Sequence, residues 1–331
     1  MHKLLPGILA AAIAAALAHL LHLAIPAVPT LTAAVALGII AANIPAGARF
    51  LDGILAPGIG FSSKKFMRLG IVLLGLKLSI VDVANLGWPT LLVVIGIVIL
   101  TFIGTLYAGR ALGLPGDQPL LMAAGFSICG ASAIGAMSAA AGSKSRDSAT
   151  PIAMVTLCGT LAIAVLPLLA RPLGLSPADF GFWVGASVHD VGQVVATAQT
   201  AGATALAVAV VVKLTRVLML APMVTATTLV MRSRSRAAGE EITTKLPPIV
   251  PLFVAGFLLA VALRSFGLVP DLALDIAAEA QEWLLAAALF ALGAGVRVRE
   301  LLRGGGRAFA LAMLSWTLVA ALSLGALLIL P

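Results

Sequence analysis

Residues 185–193 read Gly185-Ala186-Ser187-Val188-His189-Asp190-Val191-Gly192-Gln193, in the middle of an apolar run, 180–200, long enough to cross a bilayer. About 20 helical residues cover a ~30 Å hydrocarbon core. Glycine weakens a helix by roughly 1 kcal/mol against alanine, and serine competes for the backbone hydrogen bonds. An acid at that depth costs about 2.5–3.5 kcal/mol on insertion scales. The three together predict a helix interrupted at the midplane. Irregular backbone is tolerated there only where it lines protein or a water-filled cavity. A second such stretch, Gly125-Phe126-Ser127-Ile128-Cys129-Gly130-Ala131-Ser132-Ala133-Ile134-Gly135, lies in the run 118–141.

The rest of the chain agrees with a membrane setting. Of 331 residues, 61% are hydrophobic and 10% charged, with mean hydropathy +1.13. A soluble domain carries about 25% charge, so a soluble enzyme, a disordered chain and a collagen-like fibre are excluded. Aromatics at 5%, with 33 Gly and 18 Pro, argue against an outer-membrane barrel. The fold class is an all-α integral membrane protein. Its two cysteines, Cys129 and Cys158, make neither a disulfide framework nor a metal cluster. No phosphate loop, HExxH or dinucleotide fingerprint occurs, and Gly304-Gly305-Gly306 lacks the Lys-Ser/Thr of a phosphate cradle. No cofactor and no enzyme activity are expected, since Ser127, His189 and Asp190 lack a nucleophile-elbow context.

Eleven runs are candidate spans: 4–23, 30–47, 65–81, 88–108, 118–141, 149–170, 180–200, 204–230, 248–264, 282–297 and 306–330. With the N-terminus inside, one face collects fourteen Lys and Arg, and the other holds only Lys144, Arg146 and Arg264. That bias explains most of the net charge of +8 without nucleic acid, and sets a cytoplasmic N-terminus. The first run also fits a secretory signal, with Lys3 and Ala16-Leu17-Ala18. Its extension to Leu23 favours a retained helix. The segment 231–247 reads as a basic cytoplasmic loop, and 266–281 as a short amphipathic external one. At an offset of 218, Ala36-Leu37-Gly38-Ile39 matches Val254-Ala255-Gly256-Phe257, Leu74-Gly75-Leu76 matches Leu292-Gly293-Ala294, and Asp82 matches Glu300. This predicts an inverted repeat within one polytopic domain: a peripheral first helix over 1–29, then halves 30–171 and 178–331. A competing register pairs Phe126–Gly130 with Phe290–Ala294.

Asp190 is the one acid in mid-span; Lys213 and Arg216 share a helix face in the run 204–230. Lys77 and Arg68 lie nearer span ends, where they snorkel. The midplane sum is one positive charge, which calls for an anion. Satisfied ion pairing between helices is the plainer alternative, although buried pairs are weak stabilisers. The candidate binding set is Ser127, Cys129, Gly130, Ser132, Gln193, Lys213 and Arg216, with His189 and Asp190 as the coupling pair. Cys129 reads most simply as a small buried hydrophobe; Gly135 and Ala139 are expected to pack helix against helix.

Four stretches, Arg68-Leu-Gly-Ile-Val-Leu-Leu-Gly-Leu-Lys77, Gly125–Ile134, Val188–Val194 and Val212-Lys-Leu-Thr-Arg216, resemble the YeiH-type family of bacterial membrane proteins. The resemblance runs from about residue 30 to the C-terminus and implies a sulfate exporter of the cation/proton antiporter and anion transporter superfamily. It also implies inverted five-helix repeats with crossed, interrupted helices. The expectation is thus a multi-pass inner-membrane transporter for a small anion, coupled to protons or another ion, in which homodimerisation is left open. A monovalent cation/proton antiporter using Asp190, and a non-transporting sensor or scaffold, are the alternatives.

Overall fold

The computed structural model describes residues 3–25, 28–77, 87–238, 252–297 and 305–330. Asp82 and Glu300 of the expected repeat, and the part of the expected basic loop from 239 to 247, lie outside them. The described residues form helices and no strand. Six helices are long and apolar enough to cross a membrane, or seven if one bent pair counts as a span.

Two bundles make up the molecule. The first holds α1 (Leu5–Ala24), α2 (Thr30–Asn43), α3 (Pro45–Asp52), α4 (Ala56–Phe61), α5 (Met67–Leu74), α14 (Leu252–Ser265) and α15 (Asp271–Gly293). Helix α1 buries Ala11, Ala14, Ala15 and Ala18 and turns Leu9, Ile13, Leu17 and Leu20 outward, as suits a helix facing lipid. The run 30–47 does not continue straight. Pro45 lacks the N–H that a helix interior needs, and the axis turns by 97° between α2 and α3. The run 65–81 begins earlier than expected, because α4 joins α5 through the π-helical turn Ser62–Phe66. The external segment expected at 266–281 is instead largely the first half of α15.

Glycines set the closest approaches in this bundle. A methyl on Gly38 of α2 would lie 2.8 Å from the Ala294 nitrogen, and one on Gly293 of α15 would lie 3.2 Å from the Ile39 nitrogen. Gly75, just past α5, and Gly256 of α14 repeat the arrangement: their methyls would lie 2.6 Å from the Phe257 oxygen and 3.0 Å from Val72 Cγ2.

The second bundle holds α6 (Gly87–Ala111), α7 (Gln118–Ser127), α8 (Ala131–Ala141), α9 (Ser145–Ala170), α10 (Pro177–Ser187), α11 (Val191–Ala198), α12 (Ala203–Leu218), α13 (Leu220–Ala238) and α16 (Gly306–Ala326). Here two spans are corrected. The run 118–141 is not one interrupted helix; α7 and α8 double back as a hairpin. A methyl on Gly125 would lie 2.8 Å from Ile134 Cδ1, which is impossible if the two arms were collinear. The open ends also meet. A methyl on Gly116 would lie 2.8 Å from Asp147 Oδ2, and one cavity is lined by Pro115 to Gln118 together with Gly142, Lys144 and Asp147. The turn is made by Gly130, at φ 68°, in a region that L side chains avoid.

The run 180–200 is the second hairpin. Helices α10 and α12 lie side by side in the same direction: methyls on Gly181 and Gly185 would lie 2.9 Å from Ala205 Cα and Val212 Cβ. The intervening α11 therefore returns to the level where α10 began. Helix α9 fixes how the hairpins face. Along it, Asp147 meets the base of the first hairpin, Val155 meets Gly130 at its tip, Thr156 and Thr160 meet Gln193 of the second, and Ala162 and Leu166 share a core with Phe180 and Ala198 near the second base. The hairpins enter from opposite ends of α9 and their tips meet between.

Candidate functional site

The meeting point is built from backbone. Gly130 and His189 touch: a methyl on Gly130 would lie 3.7 Å from the His189 carbonyl carbon, and the His189 and Phe126 rings stand edge to face at 4.5 Å. The last carbonyls of α7 and α10 have no helical partners left. Two cations from α12 take them. Lys213 Nζ donates to the carbonyls of Ile128 (2.9 Å) and Val188 (2.8 Å). Arg216 donates from Nε to Ser127 (3.0 Å), from one terminal nitrogen to Ala186 (2.6 Å) and Val188 (3.3 Å), and from the other to Phe126 and Ser127 (both 2.8 Å). Both side chains are 0% exposed. They fasten one tip to the other and meet the partial negative charge of two helix C-termini.

The return arms start differently. Helix α11 carries its own cap: Asp190 Oδ1 accepts from the Gly192 N–H at 2.9 Å, and Gln193 Oε1 accepts from the Asp190 N–H at 3.2 Å. Gln193 Nε2 donates to the Thr156 carbonyl (3.1 Å) and Thr160 Oγ1 (3.3 Å), so this glutamine is held by α9. Helix α8 begins after Gly130 with no side-chain cap. Ser132 in its first turn is exposed, and so are Gly135 and Ala139. The packing expected of these last two is not found: a methyl on Gly135 would meet nothing within 4 Å. Helix α11 is buried throughout, and a methyl on Gly192 would lie 2.5 Å from Met67 Sδ and 3.2 Å from Leu289. The two bundles meet chiefly here, where α11 touches α2, α5 and α15.

The predicted residues therefore converge, in three roles. Lys213 and Arg216 lie behind the tips on carbonyls. Ser127, Cys129, Gly130 and His189 form the buried contact, with the Ser127 hydroxyl donating to the Ala123 carbonyl at 2.7 Å. Asp190 and Ser132 keep some exposure. Neither ring nitrogen of His189 makes a hydrogen bond of good geometry. The residues that sequence reasoning missed are Thr156, Gly159 and Thr160 of α9. Their signal is a Thr-x-x-Gly-Thr run in an otherwise aliphatic span. Gly159 leaves room for the Gln193 carboxamide, which a methyl would strike. Gly159→Ala is expected to displace Gln193 and cost about 1–3 kcal/mol, read as a lower melting temperature in detergent. Gly135→Ala should leave it unchanged.

The family described as conserved hypothetical protein 698 matches residues 6–312. A membrane protein of the UPF0324 family from Corynebacterium glutamicum is 41% identical over 325 residues, 98% of this chain and 92% of its own. The chain belongs to the UPF0324 family. The YeiH-type resemblance is to this same family. UPF0324 members from Agrobacterium fabrum and Paracoccus denitrificans, the latter named TauZ, are 37% and 36% identical; they match over 84% and 77% of this chain and 79% and 76% of their own. No solved structure matches. Membership of UPF0324 and the apolar helices make this a multi-pass membrane protein.

Proposed function

We propose that the chain is a secondary transporter for a small anion, sulfate or a related sulfur oxyanion, working by alternating exposure of the joined hairpin tips. The observation that carries this reading is the pair of opposed hairpins whose tips hold a buried positive excess, Lys213 and Arg216 against Asp190. Broken backbone at membrane depth is tolerated only inside protein or against a water-filled cavity, transporters bind substrate at such breaks, and ionisable groups there mark substrate or ion pathways. The uncapped start of α8, with Ser132, is the face offered to the anion, and the bundle carrying the hairpins rocks against the other about Gly192.

The eleven membrane elements become nine crossings and two hairpins, in two inverted halves, 30–171 and 178–331. The glycine contacts support the offset of 218 over the competing register: Gly38 meets the backbone from Phe290 to Ala294, and Gly256, 218 positions on, meets Val72, which the same offset pairs with Phe290. In that register α14, α15 and α16 correspond to α2, α5 and α6, while the second hairpin and α12, which come first in the second half, correspond to the first hairpin and α9, which come last in the first. Re-sorting the loops supports a cytoplasmic N-terminus. Lys144 and Arg146 move to the basic face and Arg171 leaves it, so fourteen to three becomes fifteen to two.

The test is counterflow of radiolabelled sulfate in proteoliposomes, with thiosulfate and chloride as competitors. Accumulation that competitors dilute supports the assignment, and none with any of the three refutes it. One observation favours the cation/proton antiporter instead: Asp190 is the partly exposed charge at the tips, while both cations are sealed. Proton flux driven by sodium or potassium and lost in Asp190→Asn would establish that alternative.

A further inference from the structure

We propose that Asp190 must take up a proton before an anion binds at the tips, so that anion and proton cross together. This rests on the anion-transport reading. Among the charged side chains at the tips, Lys213 and Arg216 are fully buried and their bonds go to the carbonyls of Phe126, Ser127, Ile128, Ala186 and Val188. Their charge is met by helix ends rather than presented to open space. Asp190 is partly exposed, so an arriving anion first meets a carboxylate. Like charges 4 Å apart at the effective dielectric of a protein interior reduce occupancy roughly a thousandfold.

Protonation removes that barrier without dismantling the hairpin. The proton adds to the carboxylate oxygen that does not cap, while Oδ1 continues to accept from the Gly192 N–H. The neutral acid then presents an O–H that donates to the anion. Counting His189 as neutral, the tips carry one positive charge with Asp190 ionised and two with it protonated. A dianion such as sulfate is fully compensated only in the second state. The groups facing Asp190 are His189 beside it, Cys129 on the other tip and Lys213 from α12, with Arg216 one turn further along on the helix-end carbonyls. From α9 come Thr156 and Thr160 through Gln193, and from the other bundle Met67 and Leu289, none of which titrates in the working range. On release to the opposite face, the anion leaves and Asp190 returns its proton to water.

Asp190→Asn is the informative variant, because asparagine caps a helix about as well as aspartate. An unchanged melting temperature verifies that α11 keeps its start. In proteoliposomes loaded with sulfate, thiosulfate or chloride, which hold their charge near neutral pH, wild-type counterflow is expected to rise about tenfold per unit fall in pH above the titration of Asp190. Counterflow by Asp190→Asn is expected to be independent of pH, with no proton movement on a trapped pH dye. Wild-type anion counterflow indifferent to pH, or its complete loss in a folded Asp190→Asn protein, overturns the inference and leaves anion transport standing. If none of the three anions moves in the wild type at any pH, the anion reading fails and this inference with it.

Discussion

Arg216→Met is expected to leave little folded protein. The side chain makes five hydrogen bonds, and without it the carbonyls of Phe126, Ser127 and Ala186 lose the partner that ends their helices. Each buried polar group left unpaired costs about 1–3 kcal/mol, and three approach the whole stability of a typical protein, about 5–15 kcal/mol. Arg216→Lys recovers only part of this, since an ammonium group cannot span the carbonyls as a planar fork does. Lys213→Met releases Ile128 alone, because Val188 keeps a bond from Arg216. The expected order of melting temperature in detergent is wild type, then Lys213→Met, then Arg216→Lys, with Arg216→Met lowest. A Met variant at 216 as stable as the wild type would show that the tips are not held in this way.

The second prediction is all-or-none. If residues 118–141 return to the face they left, a cysteine at Lys144 reacts with a membrane-impermeant maleimide from the same face as one at the exposed Pro115, and one at Arg171 from the opposite face. With the orientation proposed above, Lys144→Cys and Pro115→Cys label in inverted vesicles and Arg171→Cys in intact cells. A crossing helix at 118–141 would put Lys144 with the outside loops. Labelling of Lys144→Cys in intact cells would therefore overturn the hairpin. Both Lys144 and Arg171 are exposed, so access does not confuse the result.

The positions of the breaks were legible in the sequence, because glycine, serine and a lone acid in an apolar run are costly wherever the chain goes next. The direction after the break was not. The 24 uncharged residues at 118–141 suit a crossing and a return equally, and what separates them is the meeting of Gly116 with Asp147 across 31 positions. Loop charge held part of the answer, since two of the three exceptions to the basic face, Lys144 and Arg146, adjoin the misassigned run. The spacing of Lys213 and Arg216 disclosed a shared face but not its partners. Carbonyls carry no sequence signature, so nothing in the sequence signalled that the ends of α7 and α10 hold these two cations. The glycines at 38 and 75 recur 218 positions on, at 256 and 293, and each lies where one helix closes on another.

Helix α9 serves both hairpins from a single seam. Ser148, Val155, Gly159, Ala162 and Leu166 follow one another at steps of seven, four, three and four, the coiled-coil period, and each faces one hairpin or the other. Because one residue added to a helix rotates all that follows by about 100°, an insertion between Val155 and Gly159 would leave the first hairpin seated and swing the seat of the second away. The two tips are thus phased by counting residues along one helix, a length standard that point substitutions leave intact and a single-residue insertion or deletion destroys.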